Sequence, residues 1–129
     1  MRSIFHVLAI LTLLATSSAN AAETASFIEG TYASKKGCEM LKALEQGTPR
    51  NLQTVPETLD KNGFAGWEGS CEFVKIFKHG TKLWTAIMYC VEGATAAPSL
   101  ASFLRHEDGS YDVSFQNAEQ PEVFMQCTN

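Results

Sequence analysis

Beyond an apolar N-terminal leader, the chain carries two histidines, His79 and His106, the side chains best suited to proton transfer near neutral pH. Hydrolysis of the histidine–serine kind would need one of them to converge with Ser70, Ser99 or Ser110. No G-x-S-x-G elbow presents a serine for attack, and each histidine stands beside a turn signal: His79 before Gly80, His106 before Glu107-Asp108-Gly109. A solvated imidazole is the simpler reading. Among the carboxylates, Glu68 and Glu72 lie i and i+4 on one expected strand, roughly 13 Å apart by strand rise, too far to flank one glycosidic bond. Glu92, Glu107, Asp108 and Asp112 are hard-cation donors without the D-x-D-x-D-G spacing of a calcium loop. No catalytic residue, metal ligand or cofactor is assigned on these grounds.

A basic strip carries more. Lys75, Lys78, His79 and Lys82 gather around Phe77 and Trp84. Cations interleaved with aromatic rings suit an acidic protein or an anionic envelope glycan. The alternative use of such lysines is to keep a hairpin end soluble and unpaired.

Four cysteines, Cys38, Cys71, Cys90 and Cys127, are separated by 33, 19 and 37 positions, with no C-x-x-C pair to form a metal knuckle or redox motif. An even count in a short exported chain reads as two disulfides. Cys38–Cys71 with Cys90–Cys127 is the preferred pairing, against Cys71–Cys90 with Cys38–Cys127.

Export follows from the N-terminus. Met1–Ala21 has Arg2, an apolar stretch from Val7 to Ala15, and a closing Ala19-Asn20-Ala21, the layout of a cleaved secretory signal. The apolar run is too short to span a bilayer, and no later segment could. Residues 22–129 then form one β-rich domain with nine Lys/Arg against fourteen Asp/Glu, because Arg2 is the signal's one charge. Residues 83–129 hold Arg105 alone against six acids. That balance argues against nucleic-acid binding.

The elements that position these residues centre on Ser70–Glu92, two strands rich in β-branched and aromatic residues. Gly80 suits a two-residue type II′ turn, which pairs residues whose numbers sum to 161: Phe77 with Trp84, Val74 with Ile87, Phe73 with Met88 and Cys71 with Cys90. Both faces of this hairpin are apolar except for Lys75 on one and Glu72 and Lys78 on the other. One face must line a core, and the other must be covered by a helix or a partner. The expected core is Phe73, Val74, Ile76, Phe77, Trp84, Ile87, Met88 and Val91, with Leu41 and Leu44 from a helix.

Upstream, Phe27–Ala33 reads as a strand. Ser34 caps a helix over Lys35–Gln46 that ends at Gly47, and this helix is the expected cover for the hairpin. Thr48–Gly63 is mostly loop, with a short strand at Leu52–Val55. Phe64–Ser70 leads into the hairpin as one bent strand. Ser99–His106, Ser110–Gln116 and Glu122–Cys127 complete an antiparallel meander. The fold class is mainly β (α+β): one N-terminal helix, then a curled sheet or small lipocalin-like barrel, with two disulfides.

Gly30-Thr31-Tyr32 with Cys38, then Trp67-Glu68-Gly69-Ser70-Cys71-Glu72-Phe73, Tyr89-Cys90-Val91-Glu92-Gly93 and Phe124-Met125-Gln126-Cys127, resemble a loose class of small exported four-cysteine bacterial periplasmic proteins of unassigned function. The resemblance implies periplasmic residence and a β-rich fold, and brings no catalytic residues. With periplasmic lysozyme inhibitors the similarity is of architecture alone. The expected function is a secreted or periplasmic non-enzymatic binding module, an inhibitor or immunity-type protein of an envelope-directed enzyme. The alternative is a lipocalin-like carrier of a small apolar ligand, with a hydrolase ranked last.

Overall fold

The computed structural model describes residues 26–47 and 55–128. The leader and Leu52–Thr54 of the expected short strand lie outside the described residues, and Val55 is loop. Eight antiparallel strands close into a barrel in chain order: β1 (Tyr32–Ala33), β2 (Thr58–Asp60), β3 (Gly63–Ala65), β4 (Gly69–Lys78), β5 (Leu83–Glu92), β6 (Thr95–Arg105), β7 (Tyr111–Phe115) and β8 (Glu122–Gln126). Closure comes from the two residues of β1, with Tyr32 opposite Gln126 of β8 and Leu59 of β2. A meander whose strands all carry inward apolar residues removes its open edges this way. The expected continuous strand over 64–70 is instead two strands: Gly66 N–H donates to Gly69 C=O at 2.9 Å and turns the chain between β3 and β4.

The helix α1 (Lys35–Glu45) forms as the sequence indicates, with the Ser34 hydroxyl accepting from Gly37 N–H at 3.0 Å and Gly47 at φ +63° after its end. Gly37 is buried, and a Cβ there would lie 2.9 Å from that of Ala33, which explains a glycine in the first turn. The helix packs on β1 and β8, not on the β4–β5 hairpin. Cys38–Cys127 fixes it there, and the second disulfide is Cys71–Cys90. This overturns the preferred pairing.

The reason lies in a β-bulge. Pairing of β4 with β5 follows the expected sum from Gly69↔Glu92 to Phe73↔Met88, then slips by one, giving Lys75↔Ile87, Phe77↔Thr85 and Lys78↔Trp84. Val74 is the extra residue, and the turn accordingly holds three residues between His79 and Leu83, whose N–H and C=O meet at 2.8 Å. On the β3 side, Gly66 N–H bonds Gly69 C=O and Phe73 N–H bonds Asn62 C=O at 2.9 Å. By that two-residue alternation Cys71 turns its backbone groups toward β3. Opposite Cys90 it therefore occupies the narrow, non-hydrogen-bonded kind of site, with Cα atoms 3.9 Å apart.

The bulge also redistributes the core. Phe73, Trp84 and Met88 face inward as expected, and Ile76 joins them from the face that an unbroken register sets opposite, but Val74, Phe77 and Val91 are exposed, Ile87 is half-buried on the outer face, and Leu44 of α1 is exposed. Their places are taken by Tyr32, Leu59, Phe64, Phe103, Tyr111, Val113 and Phe124.

Phe27 does not continue β1. It turns into the barrel end that carries the β4–β5 and β6–β7 turns, stacking on Trp84 at 4.7 Å and meeting Phe103 and Tyr111 edge-on at 5.1 and 5.8 Å. Tyr111 Oη donates to the Phe27 carbonyl at 3.2 Å. That end is sealed by the chain's own side chains.

Candidate functional site

Among the described residues the opposite end is open. The β3–β4 and β5–β6 turns form its rim around a cleft of about 390 Å³ that descends to Phe64 and the Cys71–Cys90 disulfide. Gly69 makes the approach of these turns possible, since a Cβ there would overlap the Val91 carbonyl. The upper wall is apolar and aromatic: Val55, Val91 and Trp67, whose indole is 64% exposed. Three carboxylates, Glu57, Glu68 and Glu92, share that rim. Glu57 also walls a neighbouring cleft of about 460 Å³, bounded by Lys36 and Met40 of α1 and by Glu122 and Phe124 of β8. Burial raises the Glu57 pKa above the ordinary carboxylate range, and the Glu122 charge adds to the rise. The rim thus pairs π-faces and alkyl groups with negative charge, the complement of a ligand that has an apolar body and a cationic end.

The basic strip lies at the sealed end and on the outer wall. Lys75 Nζ sits 5.0 Å above the Phe77 ring, both outside the barrel, and Lys78 is exposed near the hairpin tip. His79 Nε2 lies 3.1 Å from Thr85 Oγ1, while Lys82 forms an ion pair with Glu107 of the β6–β7 turn. Trp84, grouped with these residues in the sequence, points inward and is 7% exposed. Lys78, His79 and Lys82 share the sealed end while Lys75 stands mid-strand on the outer wall, so the four do not form a single free cationic cluster.

The two histidines have local partners. His106 Nε2 is 3.0 Å from Asp112 Oδ2. Ser110 directs its hydroxyl to Asp108 Oδ1 at 2.6 Å, and its N–H reaches the same oxygen at 2.9 Å. These bonds hold the Asp108 pKa below the usual range. Ser110 is therefore a turn residue and not a nucleophile aligned on a base. Among the described residues no group of three or more His, Cys, Asp or Glu is placed to hold a metal ion.

Trp67 is the rim residue that sequence reading did not single out. Its signal is the flanking Gly66 and Gly69, which mark a turn and hence a side chain at a tip. Comparison with protein-family models, with characterised proteins and with solved structures finds no match.

Proposed function

We propose that this chain is an exported, non-enzymatic binding module that holds its ligand at the open end of the barrel. The supporting observation is the asymmetry of the two ends: one filled by Phe27 and its aromatic neighbours, the other opening into the cleft beneath Trp67. An apolar molecule has no interior chamber to occupy at the filled end, so a deep carrier is the weaker form of the idea. The cleft suits an aromatic or short alkyl group with a cationic terminus resting against Glu57, Glu68 and Glu92. Export rests on the leader, and periplasmic or secreted residence agrees with two disulfides and with the absence, among the described residues, of a helix long and apolar enough to cross a membrane.

The indole at the rim supplies the test. Trp67 is solvated and Trp84 is buried, so a ligand entering the cleft changes the emission of Trp67 alone. Benzyltrimethylammonium should produce a saturable change that phenylacetate does not, and Trp67→Phe should abolish it. Glu68→Gln/Glu92→Gln should weaken binding several-fold. Equal responses to the cation and the anion, or none that saturates, would refute the reading.

A second reading, contact with an acidic protein or anionic glycan through the hairpin tip, draws support from the exposure of Lys75, Lys78 and His79. The Lys82–Glu107 pair reduces the free charge available to it.

A further inference from the structure

The outward face of β4, β5 and β6 carries a run of apolar side chains, interrupted on β4 by Glu72 and Lys75. Val74, Phe77, Leu83, Tyr89, Leu100 and Leu104 all lie on it, with Val74 58% and Tyr89 50% exposed. Cross-strand pairing makes it continuous: Leu83 is opposite Leu104, Ile87 opposite Leu100, and Tyr89 opposite Pro98. The helix, which could have covered it, sits on β1 and β8.

We propose that a second copy of this chain covers this face, the two sheets packing face to face with their strands antiparallel about a two-fold axis that runs across the strands. The charges choose the orientation. On the outer face of β4, Lys75 stands level with Ile87 of β5 and Glu72 level with Tyr89, one step further along the same face. An axis between those levels lays Lys75 of each copy over Glu72 of the other. It also sets the tip that carries Lys78 and Lys82 beside the partner's acidic rim at Glu92. An axis parallel to the strands would instead bring the two basic tips together, with like charges opposed.

Edge-to-edge pairing is a poorer route. The first half of β6 runs past the end of β7, whose pairing begins at Ala101, but Pro98 turns its nitrogen to that open edge and offers no N–H. The face from Leu83 to Val91 over three strands measures about 30 Å by 14 Å, or about 400 Å² in projection. A standard interface takes about 800 Å² from each partner, so side-chain relief and the hairpin tips must supply the rest, and the dimer belongs at the weak, micromolar end.

Sedimentation velocity of the oxidised mature chain, from about 1 μM to several hundred μM, tests this directly. A reversible monomer–dimer equilibrium is expected, abolished by Tyr89→Glu. Lys75→Glu should weaken it about tenfold, and Glu72→Lys/Lys75→Glu should restore it, because each new lysine again faces a glutamate. Both swapped positions are exposed, so the swap remains decisive even if Tyr89→Glu unfolds. A monomer at every concentration, a dimer indifferent to Tyr89→Glu in a folded variant, or a double swap no better than Lys75→Glu would overturn the proposal. None of these outcomes depends on the ligand cleft at the barrel mouth.

Discussion

Phe27 and Phe77 are the two side chains whose truncation tests the plugged barrel end and the bulged strand most directly. Phe27 lies outside any strand, yet its ring stacks on Trp84 with planes 6° apart and touches Phe103 and Tyr111 edge-on. Phe77 lies inside a ten-residue strand, yet it emerges on the outer wall, 38% exposed, with the Lys75 ammonium over its ring. Truncating a buried phenylalanine costs about 3–5 kcal/mol, and Phe27, being only partly buried, belongs near the lower end. With an m-value of about 1.5 kcal/mol per M in urea, Phe27→Ala should lower the unfolding midpoint by about 2 M. Phe77→Ala loses an exposed cation–π contact and the partial burial of its ring, about 1–2 kcal/mol, and should shift the midpoint by about 1 M. Both variants are measured by tryptophan emission with the disulfides intact, so that the unfolded states match. If Phe77→Ala costs as much as Phe27→Ala, then the plug and the bulge-induced face reversal are both wrong.

Deletion of Val74 should be tolerated with both disulfides formed, because Phe73↔Met88 and Lys75↔Ile87 are already the pairs that a regular strand lacking it would make. Deletion of Thr85 from unbulged β5 should abolish folding, a contrast that non-reducing electrophoresis and circular dichroism would read. Peptide mapping should give a Cys71–Cys90 fragment, and removing Cys38–Cys127, which closes 89 residues, should cost more than removing Cys71–Cys90, which closes 19: about 4.6 against about 3.2 kcal/mol on the chain-entropy estimate, compared by denaturant midpoint. Burial that raises the Glu57 pKa means the unfolded chain loses this proton first as pH rises, so the fold is favoured below the ordinary glutamate value and penalised above it. Glu57→Gln should therefore melt higher than the parent at neutral pH and lose that advantage below about pH 4, as scanning calorimetry across pH would show.

What the sequence made legible was local and chemical. Ser34 and Gly47 bracket α1, Gly80 marks the hairpin turn, and the even cysteine count gives two disulfides, each from signals a few residues long. Barrel closure was legible only as a class, because it rests on β1, whose two residues carry no periodicity. Placement of α1 was not legible, since its apolar stripe fits any sheet face and the deciding contact is a disulfide 89 positions away. Of the candidate site, Lys78 and His79 are exposed as a tip requires, whereas the open cleft is assembled from three separate segments and leaves no local pattern beyond the glycines around Trp67.

One residue did announce the largest departure. In an unbroken register Lys75 would sit among Phe73, Phe77 and Trp84 on the core face, an unpaired ammonium in an apolar interior, which folding cannot tolerate at ordinary stabilities. The chain resolves the conflict with one extra residue. Val74 bulges, Lys75 turns to solvent, and Ile76 takes its place inside. Everything between the bulge and the hairpin tip is thereby inverted, so Phe77 emerges onto the outer wall beside Lys75. Toward the other end the same slip brings Cys71 and Cys90 to the close kind of cross-strand site, where a disulfide can bridge them. The lysine excluded from the core, the emergence of Phe77 on the outer wall and the disulfide floor of the open cleft are three consequences of a single inserted valine.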